Sequence, residues 1–138
     1  MNKADTQRLE RLFAALRRNR VHADVERIAR YVTTHCIGRK SAQTKAEISG
    51  KTHVALRRLH DIISLLVRHY HVPICPAYQS PYGHFIATTP EERAAAMRDL
   101  EERAKKAFTR RSELAVSSPW PLLAPQQSKL LDTALLPH

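Results

Sequence analysis

Glycine, cysteine and acidic side chains are scarce in this chain, and each shortage removes a class of function. Only three glycines occur in 138 residues, so no glycine-rich loop is present to cradle a nucleotide phosphate through backbone amides. The two cysteines, Cys36 and Cys75, form neither a disulfide framework nor a C-x-x-C pair, and no apolar signal segment precedes them. No apolar run approaches the roughly 20 residues of a membrane span, so no membrane partner is expected. The chain reads as cytoplasmic, with reduced thiols buried as small hydrophobes. No Ser/His/Asp or Cys/His arrangement stands out, and neither catalysis nor a cofactor is expected. Of the eight histidines, His69 and His71 could approach Cys75 and His84 near a hairpin. The spacings of a structural zinc site are missing, and no metal is expected.

The shortage of acid has a positive counterpart. Lys and Arg number 23 against 13 Asp and Glu, giving a formal charge of +10. The excess falls in the first half of the chain, with about +4 in residues 1–20 and about +5 in residues 21–71. Nucleic acid is the commonest partner for such a surface. Hydrophobic residues make up 43%, enough for a packed core.

Apolar residues then mark the elements. Leu9, Leu12, Phe13 and Leu16 form one stripe of an N-terminal basic helix, residues 1–21. Val25, Ile28, Ala29, Val32 and Cys36 form the next, which Gly38 is expected to stop. Thr44 and Glu47 carry a capping-box signature for a short helix around Ile48, ending at Gly50. A third helix is predicted from about Thr52 to Tyr70. Its Ala55, Leu56, Leu59, Ile62, Ile63, Leu66 and Tyr70 crowd one side. His53, Arg57, Asp61, Ser64 and Arg68 crowd the other, with Arg58 and His60 on the flanks. Val72–Cys75 and His84–Thr88 read as two strands joined by a turn-rich loop. Thr89, Pro90, Glu91 and Glu92 open a long C-terminal helix to about residue 116. Residues 117–138 read as an extended, Pro- and Leu-containing tail.

The fold class expected is mainly α with a small β-hairpin: a winged helix-turn-helix core over residues 22–90, with flanking N- and C-terminal helices. In that arrangement the third helix enters a major groove about 12 Å wide. Lys51, Thr52, His53 and Arg57 are the expected base-reading residues, with Arg58 and Asp61 next. Arg57 suits a bidentate contact to a guanine edge. Arg39, Lys40 and Lys45 suit phosphates. The wing offers Tyr78, Gln79, Tyr82 and His84, aromatic and hydrogen-bonding but without a cation.

The pieces Val72-Pro73-Ile74-Cys75, Tyr82-Gly83-His84-Phe85-Ile86-Ala87 and Thr89-Pro90-Glu91-Glu92 carry a resemblance. They are similar to the winged-helix domains of small phage and prophage proteins, over about residues 23–115. The resemblance implies double-stranded DNA binding and a mobile-element origin, with a role in transcription regulation or DNA processing. His84 departs from the aromatic residue that follows the glycine in that pattern.

Two partner expectations complete the reading. The stripes Leu9/Leu12/Phe13/Leu16 and Met97/Leu100/Ala104/Phe108 are expected to pack on each other, within a chain or across a homodimer. The tail is a candidate site for a protein partner or for the protein's own body. Its Gln127, Leu130 and Leu131 resemble the short peptides that dock on bacterial sliding clamps. The alternative function is an assembly adaptor that recruits DNA to a replication or packaging machine through its terminal helices and tail.

Overall fold

The computed structural model describes residues 3–121 of the chain. Helices α1 (Lys3–Arg18), α2 (Ala23–His35), α3 (Lys45–Thr52) and α4 (Leu56–Tyr70) precede strands β1 (Ile74–Ala77) and β2 (Gly83–Ile86). Helix α5 (Pro90–Val116) follows them, and one turn of 3-10 helix lies at Arg39–Ser41. The protein is mainly α with a small antiparallel hairpin, as expected. No helix among the described residues is long and apolar enough to cross a membrane.

Local chemistry sets the helix starts. The Thr44 hydroxyl accepts the Glu47 amide at 3.1 Å, and the Glu47 carboxylate returns to the Thr44 amide, closing the capping box of α3. Thr89 accepts the Glu92 amide at 3.1 Å ahead of Pro90, as the first turn of α5 requires. The ring of His22 accepts the Asp24 amide at 3.0 Å at the start of α2.

The helix ends depart from expectation. Helix α3 does not stop at Gly50 but runs through it to Thr52, and α4 begins only at Leu56. The stop is His53, held in the left-handed conformation (φ 59°) with its amide on the Ser49 carbonyl. The Ser49 hydroxyl donates to the Val54 carbonyl at 2.6 Å, which fixes the turn. Helix α4 ends the same way at His71 (φ 53°). A glycine is the usual residue at such ends, and neither end has one. The hairpin shifts as a result. Val72 is drawn into the cap of α4, its amide on the Leu66 carbonyl at 3.1 Å, so β1 starts at Ile74. Thr88 bonds to Glu92 at 2.6 Å and belongs to the entry of α5, so β2 ends at Ile86.

Strand β2 is paired on both sides. Against β1 the register is Ile74 to Ile86 and Cys75 to Phe85. On its other edge lies the segment 36–43 between α2 and α3. There Gly38 donates to the Ile86 carbonyl at 2.9 Å and Ile86 to Cys36 at 2.7 Å. Gln43 and His84 exchange two further bonds at 3.0 and 2.7 Å. The hairpin is thereby tied to the helices through a third edge.

One core joins α1, α2, α3 and α4. Leu16, Ile28, Ile48, Leu59 and Leu66 are fully buried in it, each contributing about 1.5–3 kcal/mol of apolar burial. The stripe of α1 is spent here, with Leu12 and Phe13 packed beside Leu16. It is therefore not left over to pair with the stripe of α5. Arg30 lies over the Phe13 ring at 4.5 Å, Arg17 pairs with Glu26 at 3.5 Å, and Asn19 donates to the Tyr70 hydroxyl at 2.8 Å. A smaller cluster of Ala42, Cys75, Ala77, Phe85 and Ala96 joins the hairpin to the first turns of α5.

Two compact units divide at Glu101 and Glu102. In the second, the described residues 102–121 are the end of α5 and a short non-helical stretch, and all are exposed. Gln127, Leu130 and Leu131 lie outside the described residues, as does the tail from residue 122 onward.

Candidate nucleic-acid interface

Helix α4 is the most strongly two-faced element. Leu59, Ile62, Ile63 and Leu66 are buried, which turns Arg57, Asp61 and Arg68 outward and leaves Ser64 half-buried among them. Neither Arg57 nor Arg68 enters an ion pair among the described residues, so both guanidinium groups are available to a ligand. The expected apolar face is narrower than its pattern suggested. Ala55 and Leu56 are exposed, Leu56 at 51%, because they open the helix before it reaches the core.

Arg58 turns to the other flank. Its Nε lies 3.0 Å from the Asp24 carboxylate, in a cluster with Arg27 at 3.4 Å. A residue expected to read bases instead braces α4 against the start of α2. Asp61 keeps its expected place on the outer face, where it adds the one carboxylate to that strip.

Three expected base readers lie off α4. Thr52 is buried and its hydroxyl donates to the Ile48 carbonyl at 2.7 Å, which turns it into the protein and away from a base edge. Lys51 and His53 line an open groove of about 530 Å³ between α2 and the end of α3, with Arg27, Arg30 and His35. The cause is the helix boundary described above, which places Lys51 and Thr52 in the last turn of α3 and His53 at its cap.

Arg39 is also reassigned. Its guanidinium donates to the carbonyls of Pro81 and Gln79, both at 2.7 Å, and stands 5.7 Å over the Phe85 ring. Its backbone amide donates to Glu92 at 2.5 Å. Burial acts to raise the Glu92 carboxyl, but hydrogen bonds from Thr88 and Arg39 outweigh it and hold the group below its ordinary value. Arg39 is thus the strut of the hairpin loop, engaged by the protein rather than held ready for phosphate. It also supplies the cation that the loop's own sequence lacks. Lys40, beside it, is exposed.

Within residues 78–82, which join the strands, Tyr82 is 59% exposed and Gln79 is exposed, while Tyr78 is half-buried. The Ser80–Pro81 peptide is cis. His84, on β2, is half-buried and faces α3 and α4. Lys45 Nζ lies 2.8 Å from His60 Nδ1. Burial first, then the charges of Lys45 and His60, hold the His84 imidazole below its usual pKa. Lys45 and His60 are thus in contact, from α3 and α4, and His84 on β2 lies within reach of their charge. His60 was read only as a flank residue. Its position one turn beyond Arg57 was legible, but its approach to Lys45 depended on how the two helices cross.

Both thiols are buried. Burial pushes Cys36 up to about 11, with the nearby Glu47 charge adding to it, and burial likewise raises Cys75. Thiols so placed are poor nucleophiles and poor ligands. Among the described residues no three His, Cys, Asp or Glu side chains come together as a metal site.

Comparison with protein-family models, with curated proteins and with solved structures finds no match.

Proposed function

We propose that this protein is a non-enzymatic, winged-helix binder of double-stranded DNA in which α4 enters the major groove. The observation that carries the reading is the outer face of α4, where Arg57 and Arg68 stand exposed and unpaired among the described residues beside Asp61 and Ser64. A helix of 15 residues is about 22 Å long and 10–12 Å across, dimensions that suit a groove about 12 Å wide. The order of elements supports the same design. Helices α2, α3 and α4 with an edge segment between the first two, followed by β1 and β2, match the winged-helix succession. The loop 78–82, strutted by Arg39, is the wing.

In this reading Arg57 reads a base edge while Lys40, Lys45 and Arg68 hold phosphates. A labelled random-sequence duplex titrated with the protein at low salt tests it by fluorescence anisotropy. Affinity falls with salt by about 0.9 log units per log unit for each phosphate engaged. On a selected site Arg57→Ala costs about 1–3 kcal/mol and relaxes preference at one base pair, whereas Lys40→Ala weakens all sequences alike. A salt-independent titration, or no binding to any duplex in the pool, overturns the proposal. The role we favour is regulation of transcription or DNA processing in a phage or prophage.

One observation favours a second reading, an assembly adaptor. Met97, Leu100, Phe108 and Leu114 on α5 are 47–68% exposed, an apolar series that a partner helix would cover. A second copy of α5 is one such partner, and a homodimer would suit a palindromic site. Met97→Glu with Phe108→Glu breaks that dimer in sedimentation and leaves the fold intact.

A further inference from the structure

Lys45, His60 and His84 are three groups that can carry positive charge and come from three different elements. Lys45 projects from the first turn of α3, His60 from the second turn of α4 and His84 from β2. The ammonium of Lys45 can only donate, so at 2.8 Å the Nδ1 of His60 accepts and its Nε2 carries the hydrogen. The backbone of His84 is held in register by its two bonds with Gln43, two residues before Lys45. The groups facing it are Lys45 from α3, His60 from α4, Gln43 from the edge segment and Pro76 opposite it on β1. The nearby carboxylate of Glu47 is bonded to the amide and hydroxyl of Thr44. Like charges crowded together disfavour one another, and an anion placed among them removes the penalty.

We propose that Lys45, His60 and His84 form a phosphate-binding site that takes up a proton when the anion docks, making DNA binding tighter as pH falls. This rests on the DNA-binding reading given above and names the regulation of that same surface. A phosphate oxygen accepts from Lys45 Nζ beside His60, and the added negative charge offsets the positive charge that faces His84. In the free protein burial, reinforced by the charge of Lys45, holds the His84 imidazole below its usual pKa. With the phosphate present the ring takes a proton from solvent and donates to a second phosphate oxygen. The sign follows from linkage. The bound state holds more protons than the free state, so affinity rises as pH drops, by up to about tenfold per pH unit for one proton taken up.

The experiment uses the full chain with its histidine rings followed by NMR across about pH 5.5 to 8. The series is recorded alone, with inorganic phosphate and with a short duplex, and anisotropy affinities are measured over the same range. The expected result is a His84 titration that moves to higher pH with either ligand, and an affinity that increases as pH falls. His84→Gln loses most affinity at about pH 6 and converges on the unsubstituted protein at about pH 8, where both side chains are neutral. Denaturation profiles of the variant confirm that it remains folded. If duplex binds but both proteins show the same pH dependence, the proton-linked site is overturned and DNA binding stands. If no duplex binds but inorganic phosphate moves the His84 titration, the site stands and the DNA-binding reading fails. If neither ligand moves it, the proposal is overturned.

Discussion

Gly83 and Gly50 make opposite demands, and exchanging each for alanine should move stability in opposite directions. Gly83 opens β2 at φ 122°, and a Cβ built there would lie 2.0 Å from the Gln43 carbonyl oxygen and 2.4 Å from the Thr44 amide nitrogen. Those neighbours are backbone, so no side-chain rotation relieves the overlap. The strained conformation alone costs about 1–3 kcal/mol. Forcing the edge segment away also breaks the reciprocal bonds between Gln43 and His84, worth about 1 kcal/mol each. Gly83→Ala should therefore cost about 3–5 kcal/mol, a large part of the roughly 5–15 kcal/mol available to a small domain. Gly50 sits inside α3 with nothing within 4 Å of its missing Cβ and no positive φ. Gly50→Ala should stabilise by about 0.5–1 kcal/mol through helix propensity. Urea unfolding followed by circular dichroism measures both. A Gly83→Ala protein within about 0.5 kcal/mol of the original would refute the pairing of Gln43 with His84. Loss of stability in Gly50→Ala would refute the continuous course of α3.

Three further outcomes follow from the packing and the titrating groups. Leu16→Ala should cost about 2–5 kcal/mol in chemical denaturation, because α1 is part of the main core; a cost below about 1 kcal/mol would mean that α1 is an appendage. The Glu92 carboxyl is held below its ordinary value of 4.5, so it contributes stability that is present above that pH and lost as pH falls through its folded value. Melting temperatures recorded against pH should show a shallower acid decline for Glu92→Gln, and identical profiles would remove Glu92 from the joint between the hairpin and α5. Cys36, raised to about 11, should resist alkylation at neutral pH in the native protein and react on unfolding, as mass spectrometry would show.

Where the chemistry was local, the residues announced the structure. The Thr44–Glu47 box and the Thr89-Pro90-Glu91-Glu92 start act over three residues, and both form as their spacing required. The periodicity of Leu59, Ile62, Ile63 and Leu66 likewise located the buried face of α4, since a helix fixes those directions by itself. The end of α3 was misread because a left-handed stop was sought at a glycine, whereas His53 adopts it and the Ser49–Val54 bond holds it there. With that stop, Lys51 and Thr52 belong to α3 and His53 to its cap, rather than to the start of α4. Other roles depended on which distant elements meet. Arg39 reaches Gln79 and Pro81 some 40 residues away, Arg58 reaches Asp24, and Lys45 reaches His60. An arginine in a loop next to a basic helix looks free from sequence alone, because nothing within a few residues of it names its acceptor. Local residue patterns were enough for the order of the elements, the buried positions within them and the basic half of the chain. Which cations are spent on the fold and which face solvent depends on long-range geometry set by the shared core.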